Sequence, residues 1–336
     1  MCSKVNRWLS ARFNLLSSAV VGVTALVIIA TPSIPASTAG FALAFASTVS
    51  NNFVFLVAVE RIKEFTEIKR EPPEFIEPRP PASWPTKGEI KCESLSIRYA
   101  PDLPNVLHDL NFEVHAGEKI GILGRTGSGK STLALSFFRF VEPTEGKIII
   151  DGVDITTIGL TDLRSKLTII PHVFNEYEDP EIFEALRRVH LIPAGEVEED
   201  VEAVNSNVFR NLDSPVSEGG ENFSTGEKQL LCMARAILKR TKLLMMDEAT
   251  ASVDYATDEL IGKTIRQEFA ESTILTIAHR LRTIIDYDRV MVLDEGRIVE
   301  FDKPATLLKD STSRFYSLCK ATGKSEFNML RKMAGV

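Results

Sequence analysis

GRTGSGKST, residues 124–132, decides how the rest of the chain is read. It fits the phosphate-loop pattern G-x-x-x-x-G-K-[ST], with Gly124, Gly129, Lys130 and Ser131 in the fixed places. The apolar run EKIGIL (118–123) precedes it, and STLALSFFRF (131–140) follows with a helical pattern. Strand, glycine-rich loop and helix form the context the motif requires, which argues against a chance turn. Glycines let consecutive backbone N–H groups face phosphate oxygens, and the helix N-terminus adds a favourable dipole. On this reading Gly124, Arg125, Thr126, Gly127, Ser128, Gly129, Lys130, Ser131 and Thr132 cradle nucleotide phosphates. Lys130 is expected to reach the terminal phosphates, and the Ser131 hydroxyl to hold Mg2+.

The 336 residues allow about two domains at roughly 150 residues each. Charge divides the chain. Residues 13–59 contain no Asp, Glu, Lys, Arg or His, whereas the remainder has ordinary soluble composition. The break TPSIP (31–35) splits that run into 13–30 and 39–59, each near the roughly 20 residues that cross a bilayer. Lys4, Arg7 and Arg12 precede the first segment, and Arg61, Lys63, Lys69 and Arg70 follow the second. Basic flanks on both sides predict a membrane hairpin with both ends in the cytoplasm. The alternative is a buried core hairpin, and Asn51 and Asn52 inside the second segment leave it open. Residues 1–70 are therefore read as a truncated membrane domain, and 71–87, which hold six of the 16 prolines, as an extended, poorly ordered linker. A net charge of −7 gives no basic footprint for nucleic acid. Cys2, Cys92, Cys232 and Cys319 are widely spaced and read as reduced thiols.

Beyond the linker, strand-like runs recur at 89–99, 111–115, 118–123, 147–151, 167–170, 242–247, 272–278 and 289–294, with helical patterns between most of them. LLMMD and TILTIA are apolar throughout, as strands covered on both faces should be. The alternation predicts an α/β core with a parallel sheet. LLMMDE (243–248) ends in two acids. At a buried strand end the first, Asp247, suits metal binding, and the second, Glu248, suits polarising the attacking water. FSTGEKQLLCMARAIL (223–238) opens with Ser224 and Gly226, either an anion site or an ordinary N-cap. His279 follows an apolar strand and reads as a γ-phosphate contact or a structural residue. Tyr99 stacks on a base or is an edge tyrosine.

Together, in this order, these motifs resemble the nucleotide-binding domain of an ATP-binding-cassette (ABC) transporter over residues 88–323, with 324–336 as a tail. EATASVD (248–254) resembles the family's D-loop, and FSTGE matches its LSGGQ signature only in part. YAPDLPNVL (99–107), IGLTDLRSKLTIIP (158–171), EGGENFS (218–224) and TILTIAHRL (273–281) resemble subfamily C, the multidrug-resistance-associated and vacuolar metal-resistance pumps, fungal members in particular. The chain looks like a C-terminal fragment holding the last two membrane helices and the second nucleotide-binding domain. The resemblance implies a P-loop NTPase fold behind an all-α transmembrane hairpin, ATP and Mg2+ as cofactors, and ATPase activity. It implies Lys130, Glu248 and His279 as catalytic, Ser131 and Asp247 on the metal, Tyr99 on adenine, and Ser224 and Gly226 on the nucleotide of a partner domain. It implies as partners a second nucleotide-binding domain, further membrane helices and a small-molecule substrate such as an organic-anion conjugate or drug. It implies a vacuolar or plasma membrane location with the nucleotide domain cytoplasmic.

Two departures bear on activity. Where the family has a Gln after TIIP that binds Mg2+ and meets the membrane domain, this chain has His172, and the stretch that usually follows is missing. A second gap falls near 53–57. The expectation is that nucleotide binding survives and coupled hydrolysis is impaired, so that the alternative is an ATP-binding part acting only with a partner.

Overall fold

The computed structural model of the chain describes residues 2–68, 70–167, 177–192, 208–217, 220–247, 255–278 and 280–336. It divides into two compact units, Met1–Glu71 and Pro72–Val336.

The first unit is two helices in contact, α1 (Cys2–Ala30) and α2 (Ala36–Glu67). The break falls at 31–35, where Pro35 takes an extended conformation and N-caps α2. Both helices run further than the apolar segments 13–30 and 39–59. The flanks CSKVNRWLSAR and ERIKEFTE contain no Gly or Pro, so loss of hydrophobicity does not end the helix. Leu16, Val20, Val23 and Val27 on α1, and Phe41 and Phe45 on α2, are exposed. Among the described residues, no helix is long and apolar enough to cross a membrane. The side chains at 13, 14, 17 and 48–58 lie outside that description.

The second unit contains two sheets. The first, in order β2-β1-β4-β5, is antiparallel: β1 (Ile90–Ile97), β2 (Leu107–Val114), β4 (Glu145–Ile150) and β5 (Val153–Asp154). The second, in order β6-β7-β3-β8-β9, has four parallel strands: β3 (Lys119–Gly124), β6 (Leu243–Asp247), β7 (Thr273–Ile277) and β8 (Arg289–Asp294). An antiparallel edge, β9 (Arg297–Asp302), completes it. The expected parallel sheet is therefore present, but the runs at 89–99, 111–115 and 147–151 form a separate antiparallel sheet. Of the run 167–170, residues 168–170 lie outside the described residues.

Alternation along the parallel strands builds cores on both faces. On β6, Leu243 and Met245 enter one core, and Leu244 and Met246 enter another. The first core joins the antiparallel sheet to α3 (Lys130–Phe137) through Leu133 and Phe137. The second holds α5 (Asp179–Arg188), α6 (Thr225–Leu238) and α7 (Tyr255–Glu268). A third packs α8 (Leu281–Ile284), α9 (Pro304–Lys309), α10 (Arg314–Ala321) and α11 (Lys324–Met333) on the other side chains of β8. The residues expected as a tail are thus α11, anchored by the buried Leu330 and by an ion pair from Glu326 to Arg282.

The proline-rich segment is fastened rather than loose. Leu160 and Thr161, at the start of α4 (Leu160–Lys166), donate backbone N–H groups to Pro73 and Glu74. Arg79 grips Asp162 with two bonds, Trp84 is buried with its Nε1 donating to Ile150 O, and Asp151 accepts from the N–H groups of Thr86, Lys87, Gly88 and Glu89. Composition predicts extended backbone here, but not the partners that hold it. Partial burial opposes the charge on Asp151, yet the four N–H donors outweigh it and hold this carboxyl below its ordinary range.

Candidate functional site

The loop after β3 sits at the carboxyl end of a central parallel strand, where open α/β sheets bind ligands. Gly129 N-caps α3 in the left-handed region (φ 98°), and no side-chain hydrogen bond caps the helix. The N–H groups of its first turn therefore face the loop without a side-chain acceptor. Close approach explains Gly124: a Cβ there would lie 2.4 Å from both Leu293 O and Ser128 Oγ. Gly127 (φ 82°), by contrast, faces open space.

Lys130 is 9% exposed, and its Nζ donates to the carbonyls of Gly124 and Arg125, each at 2.9 Å. The ammonium is thereby curled into the loop's concavity. Arg125, Thr126, Gly127 and Ser131 are exposed on the loop, while Ser128, Gly129 and Thr132 are buried. Ser128 Oγ is buried and makes no hydrogen bond among the described residues, an unsatisfied polar atom of the loop. A lysine turned inward, an exposed first-turn hydroxyl, uncapped N–H groups and an orphan hydroxyl fit a triphosphate with its cation.

Two contacts of the loop lie outside the phosphate-loop motif. The turn between β8 and β9 places Gly296 (φ 72°) behind it: Gly296 N donates to Ser128 O at 3.2 Å, and Gly296 O accepts from His108 N at 2.9 Å. Glu295 also has positive φ (47°), so the turn is of the mirror-image type that suits hairpins. The second contact is with Tyr99, whose hydroxyl lies 3.0 Å from Thr132 Oγ1.

Strand register brings the acidic end of β6 to the same edge. Asp247 pairs with Ile277, and Ile277 with Ile122, two residues before Gly124. Two strand spacings put the Asp247 backbone about 10 Å from that of Ile122. Glu248, the D-loop segment 249–254, His279 and His172 lie outside the described residues.

Ser224 and Gly226 stand at the start of α6, whose Leu230, Met233 and Ile237 lie in the second core and not in the one beneath the phosphate loop. Ser224 N-caps α6 in a closed capping box: its Oγ accepts from Glu227 N at 3.2 Å, and its N donates to Glu227 Oε2 at 2.7 Å. Phe223 stacks on Phe209 with ring centroids 5.2 Å apart.

A family model described as "ABC transporter" matches residues 107–251. The ATP-dependent bile acid permease of Saccharomyces cerevisiae is 40% identical over 98% of this chain. The chain belongs to the ABC transporter family. Its relatives include C-type members: the metal resistance protein YCF1 of Saccharomyces cerevisiae, 43% identical over 95% of the chain, and ATP-binding cassette sub-family C member 2 of Rattus norvegicus, 42% over 96%. The ABC chain spans 22% of the length of each of these three. The match to the permease runs over 366 residues, more than the 336 in this chain, so the relative carries positions with no counterpart here. Among solved structures, a bacterial Atm1-family ABC exporter with ATP bound is similar with a TM-score of 0.66 and 26% identity, over 96% of this chain and 59% of that one.

Sequence reasoning missed Gly296 and the Thr132–Tyr99 contact. The signal for Gly296 was present: DEGR (294–297) between two apolar runs is a hairpin turn. That the turn packs behind the phosphate loop follows only from tertiary structure.

Proposed function

We propose that this chain is the ATP-binding and ATP-hydrolysing part of an ABC-type membrane exporter. Lys130, curled into a loop whose N–H groups lack a side-chain cap, is the observation that carries the reading. In it, Gly124 to Thr132 bind the phosphates, with Lys130 turning from loop carbonyls to phosphate oxygens. Ser131 and Asp247 would hold Mg2+, which would neutralise phosphate charge when bound. Glu248, next after Asp247, takes a proton from the attacking water, and His279 holds the γ-phosphate. Tyr99 stacks on adenine. Ser224 and Gly226 serve the nucleotide of a partner domain, since their helix belongs to a different core from the loop.

The domain plan behind this reading is 1–70 as part of a membrane domain, 71–87 as linker, 88–323 as nucleotide domain and 324–336 as its terminal helix. Exposed apolar side chains on both helices of the first unit support insertion in lipid, and in this reading the nucleotide domain is cytoplasmic and the membrane vacuolar or plasma. The bile acid in the name of the Saccharomyces cerevisiae permease supports an exported small molecule, such as an organic-anion conjugate or drug. A second nucleotide-binding domain and further membrane helices complete the machine.

A second reading is a catalytically impaired ATP-binding part acting only with a partner. It is favoured by His172 in place of the family's Gln and by the permease match that outruns this chain. Equilibrium binding of ATP with Mg2+ to the detergent-purified chain tests what both readings share. Lys130→Ala is expected to weaken it about 10- to 100-fold, the worth of a charge-assisted contact. Unchanged affinity would remove the site from this loop.

A further inference from the structure

We infer that Thr132 is a positioning residue for the base: its hydroxyl holds Tyr99 beside the phosphate loop, so that the aromatic ring is in place before nucleotide arrives. The inference rests on the ATP site proposed above and adds a residue and a role to it.

Tyr99 lies two residues beyond the end of β1, and it is 53% exposed. A tyrosine this exposed has little packing to fix its side-chain angles, and ordering it on binding costs free energy. The hydroxyl at its tip is nevertheless anchored, 3.0 Å from Thr132 Oγ1. Thr132 is a good anchor. It is 6% exposed, it sits in the first turn of α3, and its β-branched side chain is stiff. A helical threonine commonly returns its hydroxyl to the carbonyl four residues back, here that of Ser128. In this chain that carbonyl accepts the N–H of Gly296. The Thr132 hydroxyl instead meets the tyrosine.

The arrangement has a consequence for recognition. With its hydroxyl engaged at the loop, Tyr99 presents to a base its ring face and not its polar tip. Thr132 thus acts on the base through Tyr99, while its neighbour Ser131 stays exposed at the phosphate end. The latch joins the two ends of the nucleotide site.

A double-mutant cycle on the full chain in detergent tests this, with ATP and Mg2+ as one probe and inorganic tripolyphosphate as the other. Tyr99→Phe keeps the ring and removes the hydroxyl. It is expected to weaken ATP about fivefold in the wild-type background and less than about twofold in a Thr132→Val background. It should leave tripolyphosphate, which has no base, unchanged in both. Thr132→Ser, which keeps the hydroxyl, should retain the sensitivity to Tyr99→Phe, and it serves if Thr132→Val does not fold. Equal weakening of ATP in the Val and wild-type backgrounds would overturn the latch. So would no effect of Tyr99→Phe in the wild type, or equal loss of tripolyphosphate. Lys130→Ala separates this failure from failure of the site: if it leaves both probes bound as before, the nucleotide site is elsewhere.

Discussion

The backbone N–H of Gly296 donates to the carbonyl of Ser128 at 3.2 Å, so a hairpin turn more than 160 residues downstream braces the phosphate loop from behind. The turn is close-packed: a Cβ on Gly296 would lie 2.0 Å from Val106 O, at a φ of 72°. Gly296→Ala should therefore destabilise the domain by about 2–3 kcal/mol. ATP affinity should fall with it, because the carbonyl it braces belongs to the loop. Thermal unfolding with and without ATP measures both. An unfolding temperature within error of wild type would show that the turn is not a brace.

Asp151 gives the second prediction. Its carboxylate collects four backbone N–H groups from 86–89 and ties the linker to the end of β4. Because its folded pKa is lowered, its stabilisation is present above the ordinary carboxylate range and is lost as pH falls through the folded value. Asp151→Ala should cost about 1–2 kcal/mol at neutral pH, a figure reduced for solvent screening of a partly buried group. The difference from wild type should shrink below about pH 4. Denaturant unfolding across pH checks it. A difference that grows on acidification would contradict the clamp.

The third prediction concerns α1 and α2. Leu16, Val20, Val23, Val27, Phe41 and Phe45 are exposed, which favours a non-aqueous surround. After expression in yeast membranes, the full chain should resist extraction with alkaline carbonate. Inserting an arginine pair at Val20 and Val23 should release it, since each charge at mid-membrane costs about 3 kcal/mol. Release of the unaltered chain would oppose the membrane reading.

Much of this was legible in the sequence because it rested on short-range patterns. The phosphate loop, the predominantly apolar strands β6 and β7, and the helix break at 31–35 needed only local rules. Sheet membership did not: β1, β2 and β4 have the composition of ordinary strands, and only pairing separates them from the parallel sheet. β9 was missed because Glu300 interrupts its apolar residues, as an edge strand tolerates. The fastening of 73–89 depends on Asp151 and Asp162, more than 60 residues away, which composition cannot register. Within the site, residue types named the loop and the strand-end acids, but the brace at Gly296 and the Tyr99–Thr132 bond are tertiary contacts.

In the proposed function this chain hydrolyses ATP with Glu248 as general base. Steady-state ATP turnover of the purified chain, set against Glu248→Gln, tests it most directly. Turnover is expected for the wild type, with a fall of about 100-fold or more in the variant and ATP still bound. Equal rates in the two proteins would contradict it and leave an ATP-binding part that depends on a partner for hydrolysis.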